Sequence, residues 1–167
     1  SIKSTFKEFI AAGDMPNLLL SGTAGTGKTT IAKALCNELG YTSLVVNGSL
    51  DRNIDTLRNE IASFASTVSF DGGKKCIILD EADYLNPQSF QPALRGFIET
   101  FSKNVRFILT CNFKDKIIEP IHSRTTLIDF RTGKKEMPEI MGVLMKRILN
   151  ILKEETVKVE DPKIVAE

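Results

Sequence analysis

Eight consecutive residues carry the plainest chemistry in this chain. Gly22-Thr23-Ala24-Gly25-Thr26-Gly27-Lys28-Thr29 fits G-x-x-x-x-G-K-S/T at every fixed position. Glycines let backbone N–H groups turn inward, and a helix N-terminus favours negative charge, so such a loop feeding a helix is a phosphate cradle. In that cradle Lys28 reaches the β- and γ-phosphates and the Thr29 hydroxyl ligates Mg²⁺. ATP and Mg²⁺ are the expected cofactors. Gly22, Thr23, Ala24, Gly25, Thr26, Gly27, Lys28, Thr29 and Thr30 are the expected nucleotide contacts, and Lys28 is expected to stand as a surface charge before nucleotide binds. A second stretch turns binding towards hydrolysis. Cys76-Ile77-Ile78-Leu79-Asp80-Glu81-Ala82-Asp83 is an apolar run ending in carboxylates. At the carboxyl end of a buried parallel strand, where ligands of open α/β sheets bind, Asp80 is placed to hold Mg²⁺ through water and Glu81 to polarise the attacking water. Phosphoryl transfer asks mainly for such positioning and charge stabilisation. The plainer alternative is that Glu81 and Asp83 favour a following helix start.

These residues need a scaffold of alternating strands and helices. Asn17 to Leu20 reads as a short buried strand, and Thr30 to Leu39 as a helix with apolar residues at 31, 34, 35 and 39, stopped by Gly40. Thr42 to Val46 is β-rich. Asp51 to Val68 is helical, with Ile54, Leu57, Ile61, Phe64 and Val68 on one face. Asn86 can cap a helix whose first position is Pro87 and whose stripe is Phe90, Leu94, Phe97, Ile98 and Phe101. Arg106 to Thr110 and Leu127 to Phe130 are further strands. Asp115 to Ile121 is at most a short helix, cut by Pro120. The pattern predicts an α/β fold, with a five-stranded parallel sheet and helices on both faces.

Composition fits this reading. The 167 residues can bury a sizeable core, and 42% hydrophobic residues with a mean hydropathy of −0.05 are ordinary for a globular chain. No stretch approaches the roughly 18 apolar residues of a membrane span. Cys36, Cys76 and Cys111 are odd in number and lack C-x-x-C spacing, which argues against a disulfide framework or a zinc site and for core thiols. His122 is expected in a loop at the surface rather than in catalysis. A net charge of +1 leaves any nucleic-acid surface local.

The end of the chain departs from the α/β alternation. After a Gly133-Lys134-Lys135 linker, Pro138 to Lys153 reads as an amphipathic helix, and Asp161-Pro162 as another helix start. The first residue is Ser1, already within a helical pattern running to Ala12. We therefore expect a fragment of a longer protein: an N-terminally truncated core over 1–132 and the beginning of a helical lid over 133–167.

Several further motifs together resemble one family. Asn47-Gly48-Ser49-Leu50-Asp51-Arg52-Asn53-Ile54-Asp55-Thr56-Leu57-Arg58 resembles N-A-S-x-x-R-x-I-D-x-x-R. Leu79 to Asp83 matches a Walker B box and Ala93-Leu94-Arg95 an A-L-R. Arg106 to Asn112 resembles a sensor-1 strand, and Lys116 to Arg124 matches K-I-I-E-P-I-x-S-R. The chain is thereby identified as resembling the AAA+ P-loop ATPase core of clamp-loader subunits of the replication factor C type. Ser66 to Gly72 (S-x-x-S-F-D-G) points within that family to the large subunit of the T4-like bacteriophage loader. Thr125 departs from the family's usual Ser-Arg-Cys, but the arginine is kept.

The resemblance implies an ATPase active only when oligomeric, in which ATP drives the opening of a sliding clamp and its placement on primer–template DNA. It implies other loader subunits, the clamp and DNA as partners, no membrane, and a cytoplasmic location (nuclear only for a eukaryotic protein). It assigns Asn112 to sensing the γ-phosphate or holding the water beside Glu81. Arg124 becomes an arginine finger for the neighbouring subunit's nucleotide. Asn47 corresponds to the residue that restrains the catalytic glutamate until DNA binds, although a turn-forming Asn-Gly serves equally well as a reading. Arg52 corresponds to a phosphate contact along DNA, and Arg58, one to two turns further along the same helix, is read as a second, against the plainer reading of both as exposed helix charges. A DEAD helicase would need a much longer insert between Lys28 and Asp80, and a nucleotide kinase has no need of Asp-Glu after the strand. A non-hydrolysing structural subunit would be expected to lose Lys28 or Glu81. The rival kept open is another AAA+ DNA motor, a branch-migration helicase or helicase loader.

Overall fold

A computed structural model describes residues 2–50, 54–67 and 73–130. Five helices and five strands follow in the order α1 (Ile2–Ala12), β1 (Leu18–Ser21), α2 (Lys28–Glu38), β2 (Thr42–Asn47), α3 (Ile54–Ser66), β3 (Lys75–Asp80), α4 (Phe90–Phe101), β4 (Val105–Cys111), α5 (Glu119–His122) and β5 (Thr126–Asp129). Single 3₁₀ turns occupy Ala82–Tyr84 and Lys114–Lys116. All strand pairs are parallel, in the order β2-β3-β4-β1-β5. The chain divides into two compact units, Ser1–Arg131 and Thr132–Glu167. The second unit, with the expected Pro138–Lys153 helix and lid, lies outside the described residues. Among the described residues no helix is long and apolar enough to cross a membrane.

The central strands are apolar because both their faces are covered. Side chains alternate across the sheet, so one strand feeds two cores. Leu19, Ile77, Leu79, Phe107 and Leu109 meet Leu57, Ile61, Phe90, Leu94 and Ile98 from α3 and α4. Leu18, Leu20, Cys76, Ile78, Ile108 and Ile128 meet Phe6 of α1 and Ala32, Leu35 and Cys36 of α2. All three cysteines are free and buried, as core thiols should be.

Three local expectations are corrected. Helix α2 begins at Lys28, because Gly27 at φ 81° takes the left-handed cap position and leaves the loop directly into a helical turn. Helix α4 begins at Phe90, not Pro87: the Asn86 Oδ1 accepts from the Gln88 and Ser89 N–H groups (2.8 and 3.1 Å), making a side-chain turn that delays the helix. Pro120 opens α5 rather than cutting it, since a first-turn residue needs no N–H bond. His122 is the last residue of that helix, and its Nε2 lies 3.0 Å from the Lys114 carbonyl, a structural tie.

Register brings the functional ends together. Asn47 pairs with Asp80, and Ser21 with Cys111, so the loop after β1, the carboxylates after β3 and Asn112 after β4 share the carboxyl end of the sheet. The connections after β4 and β1 run to opposite edges of the sheet, which makes their junction the topological switch point where such folds bind ligands.

Candidate nucleotide site

The carboxyl end of the sheet holds a cleft of about 140 Å³ lined by Ala24, Gly25, Lys28, Thr29, Asp80, Glu81, Thr110, Cys111 and Asn112. Its floor follows from loop geometry. Gly25 and Gly27 take φ 76° and 81°, and a Cβ on either would meet open space, so these glycines serve backbone conformation. Gly22 serves close approach: a Cβ there would stand 2.7 Å from the Phe130 Cβ. Lys28, Thr29 and Thr30 form the first turn of α2, whose N–H groups have no carbonyl within the helix to pair with, the arrangement that suits an anion. Thr30 itself is exposed and does not line the cleft, and the Thr26 hydroxyl closes the loop onto the Thr23 carbonyl at 2.8 Å.

Lys28 is not the surface charge expected. It is buried, and its Nζ donates to the Gly22 carbonyl (2.7 Å), the Thr23 carbonyl (2.8 Å) and the Asn112 Oδ1 (3.0 Å). An ammonium carries three protons, and these three acceptors match them. The loop thus cradles its own lysine, and a phosphate must compete for it. The Asn112 amide is held by its oxygen, which leaves the NH₂ as the donor end.

The Thr29 hydroxyl donates to Asp80 Oδ1 at 2.6 Å. A hydroxyl that spends its proton on a carboxylate keeps its lone pairs for a cation, so Thr29 and Asp80 fit Mg²⁺, which takes few protein ligands beside water and phosphate. Glu81 sits at φ 54°, the one non-glycine residue with positive φ among the described residues. It caps the Ala82–Tyr84 turn, so its carboxylate leaves the strand at a sharp angle beside the cleft. Burial pushes the Cys111 thiol up to about 11, so it stays protonated near neutrality and is no nucleophile.

Residues that were given no part in the chemistry brace this arrangement. The Thr110 hydroxyl donates to Asp80 Oδ1 (2.5 Å) and accepts from the Glu81 N–H (3.1 Å). Asp83 is buried, and its Oδ2 accepts from the Asn112 and Phe113 N–H groups at 3.3 and 3.2 Å. It is therefore no solvated helix-start residue. Gly48 donates to the Asp80 carbonyl at 2.7 Å, and a Cβ on it would press to 2.8 Å from the Glu81 carbonyl oxygen. Buried Gln91 bonds the Leu85 and Lys116 carbonyls and the Ile118 N–H, joining α4 to the segment after β4. A polar residue inside an apolar run, Thr110 in Phe107-Ile108-Leu109-Thr110-Cys111, was the available signal.

The remaining expected residues do not line the cleft. Asn47 neighbours Asp80 across β2 and β3, but its Oδ1 accepts from the Ser49 N–H and hydroxyl, both at 2.8 Å, which is turn chemistry. Arg58 donates from Nη2 to the Ser89 carbonyl at 3.0 Å and lies 3.6 Å from Asp55. Arg52 lies outside the described residues. Arg124 follows α5, and its Nε and Nη2 reach Glu99 Oε1 at 2.8 and 2.5 Å while Nη1 donates to the Pro120 carbonyl at 2.8 Å. Hydrogen bonds from Arg124 and Arg95 hold the Glu99 carboxyl below its usual range.

Residues 18–136 match the family model described as the ATPase family associated with various cellular activities. The sliding-clamp-loader large subunits of Escherichia phage RB69 and Enterobacteria phage T4 are 41% and 40% identical, over 97% and 98% of this chain and 51% and 52% of theirs. A replication factor C small subunit of Saccharolobus solfataricus is 47% identical over 78% of this chain and 41% of its own. The chain spans about half the length of the curated relatives it matches. Among solved structures, the Thermotoga maritima RuvB Holliday junction branch migration motor superposes with a TM-score of 0.63 at 21% identity, over 84% of this chain and 48% of that one, a likeness of fold. With the phosphate loop, the Asp80-Glu81 turn and Asn112 gathered at the carboxyl end of a β2-β3-β4-β1-β5 sheet, and with the family model running through all of them, this chain belongs to the AAA family of ATPases.

Proposed function

We propose that this chain is the ATPase core of a sliding-clamp-loader subunit, and that ATP binding and hydrolysis between assembled subunits open a clamp and place it on primer–template DNA. The observation that carries the reading is the convergence of Lys28, Thr29, Asp80, Glu81 and Asn112 on one cleft, in a chain similar to named clamp-loader subunits along nearly its whole length. The likeness to RuvB supports the fold and no more.

We assign the roles as follows. The α2 first turn and Lys28 bind phosphates, Lys28 exchanging its loop carbonyls for them. Thr29 and Asp80 would hold Mg²⁺, which would supply positive charge beside the phosphates. Glu81 orients a water and takes its proton, and the Asn112 amide steadies the same water or the γ-phosphate. Arg124 lies off the cleft, as a residue serving a neighbour's nucleotide must, and entering that site means leaving Glu99. Asn47 would act through the Asp80-Glu81 turn it adjoins. Arg52 and Arg58 would touch DNA phosphates, Arg58 after releasing Ser89. The segment over 133–167 would begin the lid.

Glu81→Gln in the full-length assembly tests the reading. ATP and Mg²⁺ affinity should stay near wild type while turnover falls by about 10²-fold, the usual loss for a positioned base. Wild-type turnover in that variant would reduce Glu81 to a turn residue.

A further inference from the structure

We infer that Thr110 is a positioning residue for ATP hydrolysis, its hydroxyl holding Asp80 and Glu81 in their working orientations. The inference rests on the ATPase reading above and gives a part in the reaction to a residue that lies within the sensor strand but was assigned no role there.

Thr110 is 1% exposed, near the end of β4, one position beyond the Leu79–Leu109 pair and so beside Asp80. Its hydroxyl has one proton. The Glu81 amide can only donate, so the 3.1 Å contact uses an oxygen lone pair, and the proton goes to Asp80 Oδ1 at 2.5 Å. The direction of both bonds is therefore fixed. Asp80 Oδ1 takes a second hydroxyl, that of Thr29 in the first turn of α2. Two hydroxyls on one oxygen lock the carboxylate's rotation and leave Oδ2 as the oxygen they do not engage.

Glu81 needs the same support for another reason. At φ 54° it sits in left-handed backbone that side-chain-bearing residues seldom adopt. Such a conformation persists where the surroundings hold it. Here the Thr110 hydroxyl takes the Glu81 N–H from the front, and the Gly48 backbone lies under the Glu81 carbonyl, too close for any Cβ. The peptide that carries the base is thus pinned at both ends. A displacement of the order of 1 Å at a reacting group can cost about 10²-fold in rate, so losing this bond should appear in turnover.

Thr110→Val removes the hydroxyl and keeps the shape and the strand preference, whereas Thr110→Ser keeps the hydroxyl and removes the methyl. Both are made in the full-length chain and measured in its assembly for kcat, KM, Mg²⁺ dependence, ATP affinity without Mg²⁺, and thermal unfolding. Thr110→Val should lower kcat by about 10- to 100-fold, raise the Mg²⁺ concentration for half-maximal turnover, and leave Mg²⁺-free ATP affinity near wild type. Thr110→Ser should restore most of the turnover. If Thr110→Val matches wild type in kcat and Mg²⁺ dependence, or if Thr110→Ser is as impaired as Thr110→Val, the hydroxyl has no such role and Thr110 is a packing residue. Should Thr110→Val lose its cooperative melt, Thr110→Ala is read in its place. A wild-type assembly that neither binds nor hydrolyses ATP would overturn the ATPase reading and this inference with it, a result distinct from an active wild type with an equally active valine variant.

Discussion

Replacing Asp83 by alanine should damage the protein more than removing a surface carboxylate would. Asp83 is 6% exposed, and its Oδ2 receives the N–H groups of Asn112 and Phe113. Alanine leaves both donors without an acceptor in a site too buried for free hydration. Each such orphan costs about 1–3 kcal/mol, so about 4 kcal/mol is a central expectation for the pair. In a domain of this size that corresponds to a melting temperature lower by about 8–16 °C. Asparagine separates charge from hydrogen bonding. Its amide oxygen can take both N–H groups, while its NH₂ replaces Oδ1, a buried oxygen with no partner. Asp83→Asn should therefore melt within a few degrees of wild type. Turnover should follow the same order, because the Asn112 backbone is what the carboxylate holds, and Asn112 in turn holds Lys28. Thermal unfolding of the variants, followed by ATPase assays on assembled full-length protein, reads both effects. An alanine variant that melts with wild type would refute the claim that these N–H groups depend on Asp83.

Other perturbations have equally definite outcomes. Lys28→Ala should lower the melting temperature, since the Gly22 and Thr23 carbonyls and Asn112 Oδ1 lose its three N–H donors, and should lose ATP affinity by tenfold or more in the folded protein, the loss of one or more charged hydrogen bonds at about 1.5–3 kcal/mol each; calorimetric titration showing undiminished affinity would remove Lys28 from the site. Arg124→Ala should abolish most turnover, finger residues contributing about 10³-fold or more, and mixing it with Lys28→Ala subunits under exchange should regain activity, since each supplies what the other lacks; a mixture as inactive as either parent argues against action in trans. Stability should narrow at both pH extremes through Asp14. Burial raises its carboxyl, but hydrogen bonds from Lys74, Tyr41, Arg106 and the Met15 N–H outweigh that and hold it well below the usual range. A depressed carboxyl stabilises above its unfolded pKa of about 3.9 and loses that contribution as pH falls below it. Burial and Asp14 raise the Tyr41 hydroxyl, whose contribution is present below about pH 10 and lost above it. Asp14→Asn should flatten both limbs in denaturant titrations across pH, and an unchanged profile would show that the cluster does not govern them.

The elements of the fold were legible because their signals are local. An apolar run such as Cys76 to Leu79 must be covered on both faces, and an apolar stripe such as Phe90, Leu94 and Ile98 must face a core, whatever the rest of the chain does. The phosphate loop was legible for the same reason, its glycines, lysine and threonine being consecutive. What the sequence could not show are bonds between strands far apart in the chain. That Thr110 would share Asp80 Oδ1 with Thr29 depends on β4 lying beside β3, and on β1 inserting between β4 and β5. That Lys28 would be buried against Asn112 depends on the same strand order. Helix starts were misplaced where side-chain or left-handed caps decided them, at Gly27 and Asn86. Residue types and spacing determined which groups were available for chemistry, since those are properties of the chain. Which of these groups meet, and which are spent on holding one another, was decided only by the tertiary structure, because hydrogen bonding depends on distance and direction in space and not on separation along the chain.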